Sequence, residues 1–176
     1  MKRKIFTLLL SACLGTMAMA QAPNVIIKKA KVNPEIDGVV DDVWADASKQ
    51  NIALPYQSET PTLGEPGQTT WQALWNDDGI FVMLQVTDDE FYPAYMNSDA
   101  ADWKYDKPEI YFDVNAEKKD GLGSGAGKGH YQIAPGFSEA TNDGTIVDGG
   151  TSGMHAFKVT GSNYKCEYFI HLFVEG

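Results

Sequence analysis

Residues 69–86 read TTWQALWNDDGIFVMLQV, and their pattern decides the fold. Two runs of aromatic, aliphatic and β-branched residues, 69–75 and 80–86, flank Asn76-Asp77-Asp78-Gly79. That arrangement reads as two antiparallel strands joined by a four-residue hairpin loop. Trp71, Ala73 and Trp75 share one face of the first strand, so all three are expected in a core between sheets.

Working outward, the same two-residue alternation recurs at 24–31, 108–114, 131–134, 155–160 and 164–173, with Gly, Asn, Asp and Pro clusters between. The expected architecture is all-β: an antiparallel sandwich of two packed sheets. A short helix near the N-terminus is expected within EIDGVVDDVWADASKQ (35–50), with Asp41 as its cap and Trp44 in the core. The last two runs read as a second hairpin. Residues 58–68 and 88–104 read as loops, and the second carries Phe91, Tyr92, Tyr95 and Trp103, a composition that favours function.

Residues 1–20 have the organisation of a cleaved secretory signal: Lys2-Arg3-Lys4, a short apolar run, then Ala18-Met19-Ala20 before Gln21. The run is too short to span a bilayer, and no other stretch is a candidate. A secreted protein, periplasmic or extracellular, is expected, with one domain over 21–176. The competing expectation is a lipoprotein anchored through Cys13, since Leu10-Ser11-Ala12-Cys13 resembles a lipobox. The sequence stops at Gly176 directly after a strand, which is expected of a domain interrupted at its C-terminus.

Removing residues 1–20 leaves 11 basic and 24 acidic residues, a net charge of −13. A nucleic-acid partner is thereby disfavoured, because phosphate binding needs a basic face. Only Cys166 remains, which excludes an internal disulfide and a cysteine-based zinc site. The glycines at 121–129 do not make a phosphate loop: Leu122 occupies the position of its first glycine, and no helix follows. His130, His155 and His171 lack metal-ligand spacing, and the acidic clusters Asp77-Asp78 and Asp88-Asp89-Glu90 lack an EF-hand pattern.

WKYDKPEIYFDVN (103–115) carries the strongest site signal. Ile110, Phe112 and Val114 alternate toward the core while Glu109, Tyr111 and Asp113 face outward. Trp103 precedes them among Asp102, Lys104 and Asp106, outside the apolar alternation. An aromatic plate beside carboxylate acceptors suits a sugar, whose C–H face packs on the ring while its hydroxyls donate hydrogen bonds. Catalysis by Glu109 and Asp113 is disfavoured. Four residues along a strand separate their Cα atoms by about 13 Å, wider than glycosidase carboxylates.

EIDGVVDDVWADA, ALWNDDGIFVMLQVTDDE, WKYDKPEIYFDVN and YKCEYFIHL, taken together and in order, resemble the family 9 carbohydrate-binding modules over about residues 32–173. The resemblance implies a noncatalytic β-sandwich that binds an oligo- or polysaccharide, often at a reducing end, between two tryptophans. It puts Trp103 on one stacking Trp and Glu109 on a carboxylate that bonds the sugar, with Tyr111 beside it. Gln132, in HYQIAP, stands where the family has an Arg. No Trp follows Trp103 to serve as the second plate. Some members bind calcium, which is the one cofactor the resemblance admits, its ligands unassigned. Two other functions remain open: an accessory domain of a larger glycan-processing enzyme, and a haem-binding electron-transfer sandwich using Met83, Met96, Met154 or the histidines.

Overall fold

A computed structural model describes residues 25–52, 69–97, 104–113, 130–150 and 153–172. The expected signal segment with Cys13, the loop at 58–68, Trp103 and the glycine-rich stretch at 121–129 lie outside those residues. The elements are β1 (Lys28–Lys29), a 3-10 turn (Asp42–Asp46), β2 (Gln50–Asn51), β3 (Thr70–Trp75), β4 (Gly79–Val86), a second 3-10 turn (Ala94–Met96), β5 (Ile110–Asp113), β6 (His130–Ile133), β7 (Val147–Asp148), β8 (Met154–Thr160) and β9 (Asn163–His171).

The larger sheet runs β1-β3-β4-β9-β8-β7, with β2 also paired to β3; β5 and β6 form the second sheet. Trp75 pairs with Ile80 across the predicted hairpin. The Asn76 side-chain oxygen closes its loop by accepting from the backbone N–H groups of Asp78 and Gly79, both at 2.9 Å. Asn is suited to this because its amide imitates a backbone turn. The second hairpin also forms as read, with Thr160 opposite Asn163. All pairings of the larger sheet are antiparallel except that of β1, which runs parallel to β3. The expected first strand is therefore shorter than its alternation suggested, and of the other sense.

β4 and β9 occupy the middle of the sheet and are buried on both faces, which explains their almost continuous apolar sequence. One face carries Ala73, Val82, Leu84, Phe157, Cys166 and Tyr168, packed against Phe137, Phe91 and the inward residues Ile110, Phe112 and Ile133 of the β5–β6 sheet. This is the sandwich. The opposite face carries Leu74, Phe81, Met83, Ala156 and Phe169 beneath Ile36, Trp44 and Ala47.

Several expectations need correction at this level. The N-terminal helix is a single 3-10 turn, and Asp41 at its cap position makes no side-chain capping bond. Its carboxylate instead accepts from the Glu35 N–H at 2.7 Å. Trp44 is core, 1% exposed, but Trp75 is 39% exposed at the end of β3, with the Lys29 ammonium 5.1 Å from its ring centre. Alternation assigns a face; it does not say whether a neighbour covers the strand end. Phe91, read as part of a functional loop, packs into the core.

Two glycines are required by their surroundings. At Gly153, φ is 115° and an added Cβ would lie 1.8 Å from the Phe169 carbonyl oxygen. Gly38 has φ of 76° and lies against β8, where a Cβ would meet Lys158 at 3.0 Å. Positive φ and close backbone approach both select glycine.

Candidate functional site

The β5–β6 pairing places Tyr111 opposite Gln132, and with them Glu109 on the outward side of the smaller sheet. Tyr111 and Gln132 are exposed, while Glu109 is half-buried just before the strand. Burial of Ile110 and Phe112 against the larger sheet directs the alternate residues outward.

These three side chains are mutually hydrogen-bonded. The Tyr111 hydroxyl donates to Glu109 Oε2 at 2.5 Å. The Gln132 amide Nε2 lies 3.1 Å from the same oxygen and 3.0 Å from the Tyr111 hydroxyl. Lys107, which the sequence reading missed, places its ammonium 3.6 Å from Glu109 Oε1. Its position before Pro108 gave no periodic signal, although a Lys two residues from a candidate carboxylate was available as a hint. The group presents one carboxylate, one phenol, one primary amide and one ammonium on a small area, so it offers both donors and acceptors.

The chain leading into this group is fixed to the preceding loop. Asp106 accepts from the Tyr92 N–H at 2.7 Å, and its own N–H donates to the Tyr92 carbonyl at 3.1 Å. The rings of Tyr92 and Tyr105 lie 5.3 Å apart. Partial burial raises the Asp106 carboxyl above the ordinary range, opposed by its bond from Tyr92 and reinforced by Asp88 and Glu90. Tyr95, from the same loop, accepts from Asn142 Nδ2 at 2.8 Å. Trp103, the residue expected to be the aromatic plate, lies outside the described residues.

The residues considered for haem are dispersed. Met83 is buried under the N-terminal segment, Met96 is exposed in the second 3-10 turn, and His155 lies on the opposite face of the larger sheet from Met83 and Met154, against Phe157 and Tyr168. Among the described residues, no group of three or more His, Cys, Asp or Glu side chains is placed to hold a metal. No helix among them is long and apolar enough to cross a membrane.

The family model described as carbohydrate family 9 binding domain-like matches residues 36–173. The chain belongs to this family. Its four resembling segments thus correspond to the β3–β4 hairpin, the N-terminal cover, the β5 strand and β9. The fold of these carbohydrate family 9 binding domains is also found in solved structures. A family 9 module from Caldicellulosiruptor kristjanssonii in complex with glucose aligns with a TM-score of 0.57 and 20% identity, covering 85% of this chain and 70% of that one. A second structure, in complex with cellotriose, aligns with a TM-score of 0.52 and 18% identity, covering 85% and 68%.

Among curated proteins, endo-1,4-beta-xylanase A of Thermoanaerobacterium saccharolyticum is 27% identical over 138 residues, 78% of this chain and 10% of the xylanase. Exoglucanase XynX of Acetivibrio thermocellus is 25% identical over 138 residues, 78% of this chain and 11% of that enzyme. The chain therefore spans about a tenth of the length of these relatives.

Proposed function

We propose that this domain is an exported, noncatalytic carbohydrate-binding module whose sugar lies over the outward side of β5 and β6. The observation that carries the reading is the hydrogen-bonded group of Glu109, Tyr111 and Gln132, displayed by a member of a carbohydrate-binding family. Glu109 is the acceptor for sugar hydroxyls, and its bonds from Tyr111 and Gln132 hold the carboxylate in place before the sugar arrives. Such preorganisation reduces the ordering cost of binding. Gln132 and Lys107 offer the sugar donors. Trp103 supplies the apolar plate against which the C–H face of a pyranose packs.

The role is recognition without bond cleavage. The matching enzymes, each about ten times as long as the match, favour an accessory domain that keeps a larger glycan-processing protein on its polymer. Glucose and cellotriose, the ligands of the two similar modules, are the first candidates to titrate.

Calorimetric titration with glucose, cellotriose and a xylo-oligosaccharide tests the reading, with thermal melts as the control for folding. Glu109→Gln is expected to weaken binding about tenfold, and Trp103→Ala by about 2 kcal/mol or more, with melting points nearly unchanged. Unchanged affinity in both variants refutes the site. Release of reducing sugar by the pure protein, abolished in Glu109→Gln, refutes the noncatalytic role.

A further inference from the structure

At the far end of the larger sheet, on the face that the N-terminal segment covers as far as Gly38 against Lys158, Lys158 of β8 stands directly opposite Lys165 of β9, with Gln85 of β4 opposite Lys165 on its other side. Like charges facing each other across a strand pair repel, so a bare pair of this kind is a cost to the sheet. Both lysines are half-buried and line a cleft of about 240 Å³, whose described lining also includes Gln85, Thr87, Thr160 and Asn163 and contains no carboxylate. In a chain with 24 acidic and 14 basic residues, such a cleft runs against the overall charge.

The neighbouring carboxylates are held mainly by other partners. Lys158 donates to the backbone carbonyl of Asp143 at 2.7 Å; the Asp143 carboxylate is held below its ordinary range chiefly by its bond from Thr145, with Lys158 contributing least. Glu167 lies two residues along β9 on the same face, but its oxygens accept from Trp44 Nε1 and from the Asp37 and Gly38 N–H groups. Among the described residues, neither ammonium forms an ion pair.

We propose that this cleft is a second binding site, for a single oxyanion group of carboxylate or sulfate size, held between the Lys158 and Lys165 ammonium groups. The hydroxyl and amide side chains around the pair suit hydroxyls attached to that anion, as on a uronic acid. The site lies on the other sheet from Glu109 and is independent of the neutral-sugar reading.

The test uses the Glu109→Gln variant as background, so that the first site is weakened, and follows melting temperature and backbone amide NMR shifts of the β8–β9 turn, which lie on the other sheet. Sodium sulfate, sodium D-glucuronate, methyl glucuronate ester and glucose are the probes, at ionic strength matched with sodium chloride. Sulfate and glucuronate are expected to raise the melting temperature above the chloride control and to shift the turn amides saturably, by mass action on the folded state. Adding Lys165→Gln is expected to weaken either anion about tenfold, one lost charge-assisted hydrogen bond. It should also raise the melting temperature in anion-free buffer, by removing the repulsion. Glucuronate tighter than sulfate identifies a sugar-borne anion, and equal affinities a free oxyanion; both support the site. Chloride matching sulfate and glucuronate, ester or glucose matching glucuronate, or binding that survives Lys165→Gln overturns it.

Discussion

On one face of the larger sheet, Val82, Leu84, Phe157 and Tyr168 meet Phe137 and the β5–β6 sheet largely through apolar contact. On the other, the covering chain is held by polar side chains buried among apolar ones: Glu167 accepts from Trp44 and the Asp37 and Gly38 N–H groups, and Gln72 donates to the Trp44 and Ala47 carbonyls at 2.7 and 3.3 Å. The difference follows from what does the covering. A sheet satisfies its own backbone, so its partner face needs only shape and hydrocarbon. An irregular segment with one 3-10 turn brings unpaired N–H and C=O groups onto the surface it covers, and leaving them buried without partners is costly. The sheet beneath therefore supplies the missing partners from side chains.

The largest expected effect comes from the apolar face. Phe157 is fully buried and touches Phe137, so Phe157→Ala should cost about 3 to 5 kcal/mol of stability in urea unfolding. A loss below about 1 kcal/mol would mean that this face is not the principal core.

Glu167→Gln probes the other face and is expected to cost about 1 to 3 kcal/mol, because an amide cannot accept at both ends from three donors. It also carries a pH signature. Burial pushes the Glu167 carboxyl up from 4.5 to about 7, against the pull of Trp44, Asp37 and Gly38 N–H bonds. The folded state then binds more protons than the unfolded state between those values, so stability falls as pH rises from about 4.5 to 7. Melting curves across that window should show a shallower fall in the variant than in the parent. Identical slopes would show that the carboxylate's donors cancel the effect of its burial.

The smallest effect is expected at Trp75, at the exposed end of β3 on the same face as Ala73. Trp75→Ala should cost under about 1 kcal/mol, mostly the lost contact with Lys29. A cost above about 3 kcal/mol would restore Trp75 to the core and blur the distinction between sheet interior and sheet end.

How far each region could be read beforehand follows the same division. The β3–β4 and β8–β9 hairpins were legible because pairing partners lie close in sequence and their turn residues have local reasons to be there. Glu109 and Tyr111 were legible as an outward pair from alternation, but their meeting with Gln132 depended on a pairing with a residue 21 positions beyond Tyr111, and only the family resemblance pointed to it. Glu167 gave no signal: in YKCEYFIHL it reads as one more polar residue on an alternating strand. Its meaning depends on Trp44, 123 residues away. Parallel pairing of β1 was hidden for the same reason, since a two-residue strand has no pattern to declare its direction.

The position of β9 between β4 and β8 has a consequence for the order in which the molecule can assemble. Each hairpin can zip up by itself as its residues are synthesised, whereas the β4–β9 seam, with Val86 opposite Tyr164, waits until β9 has been made. Until then β4 offers a free edge and two greasy faces to anything nearby. A ribosome making this domain thus trails an unfinished sheet from the time β4 emerges until β9 does, with the β3–β4 hairpin as its exposed part.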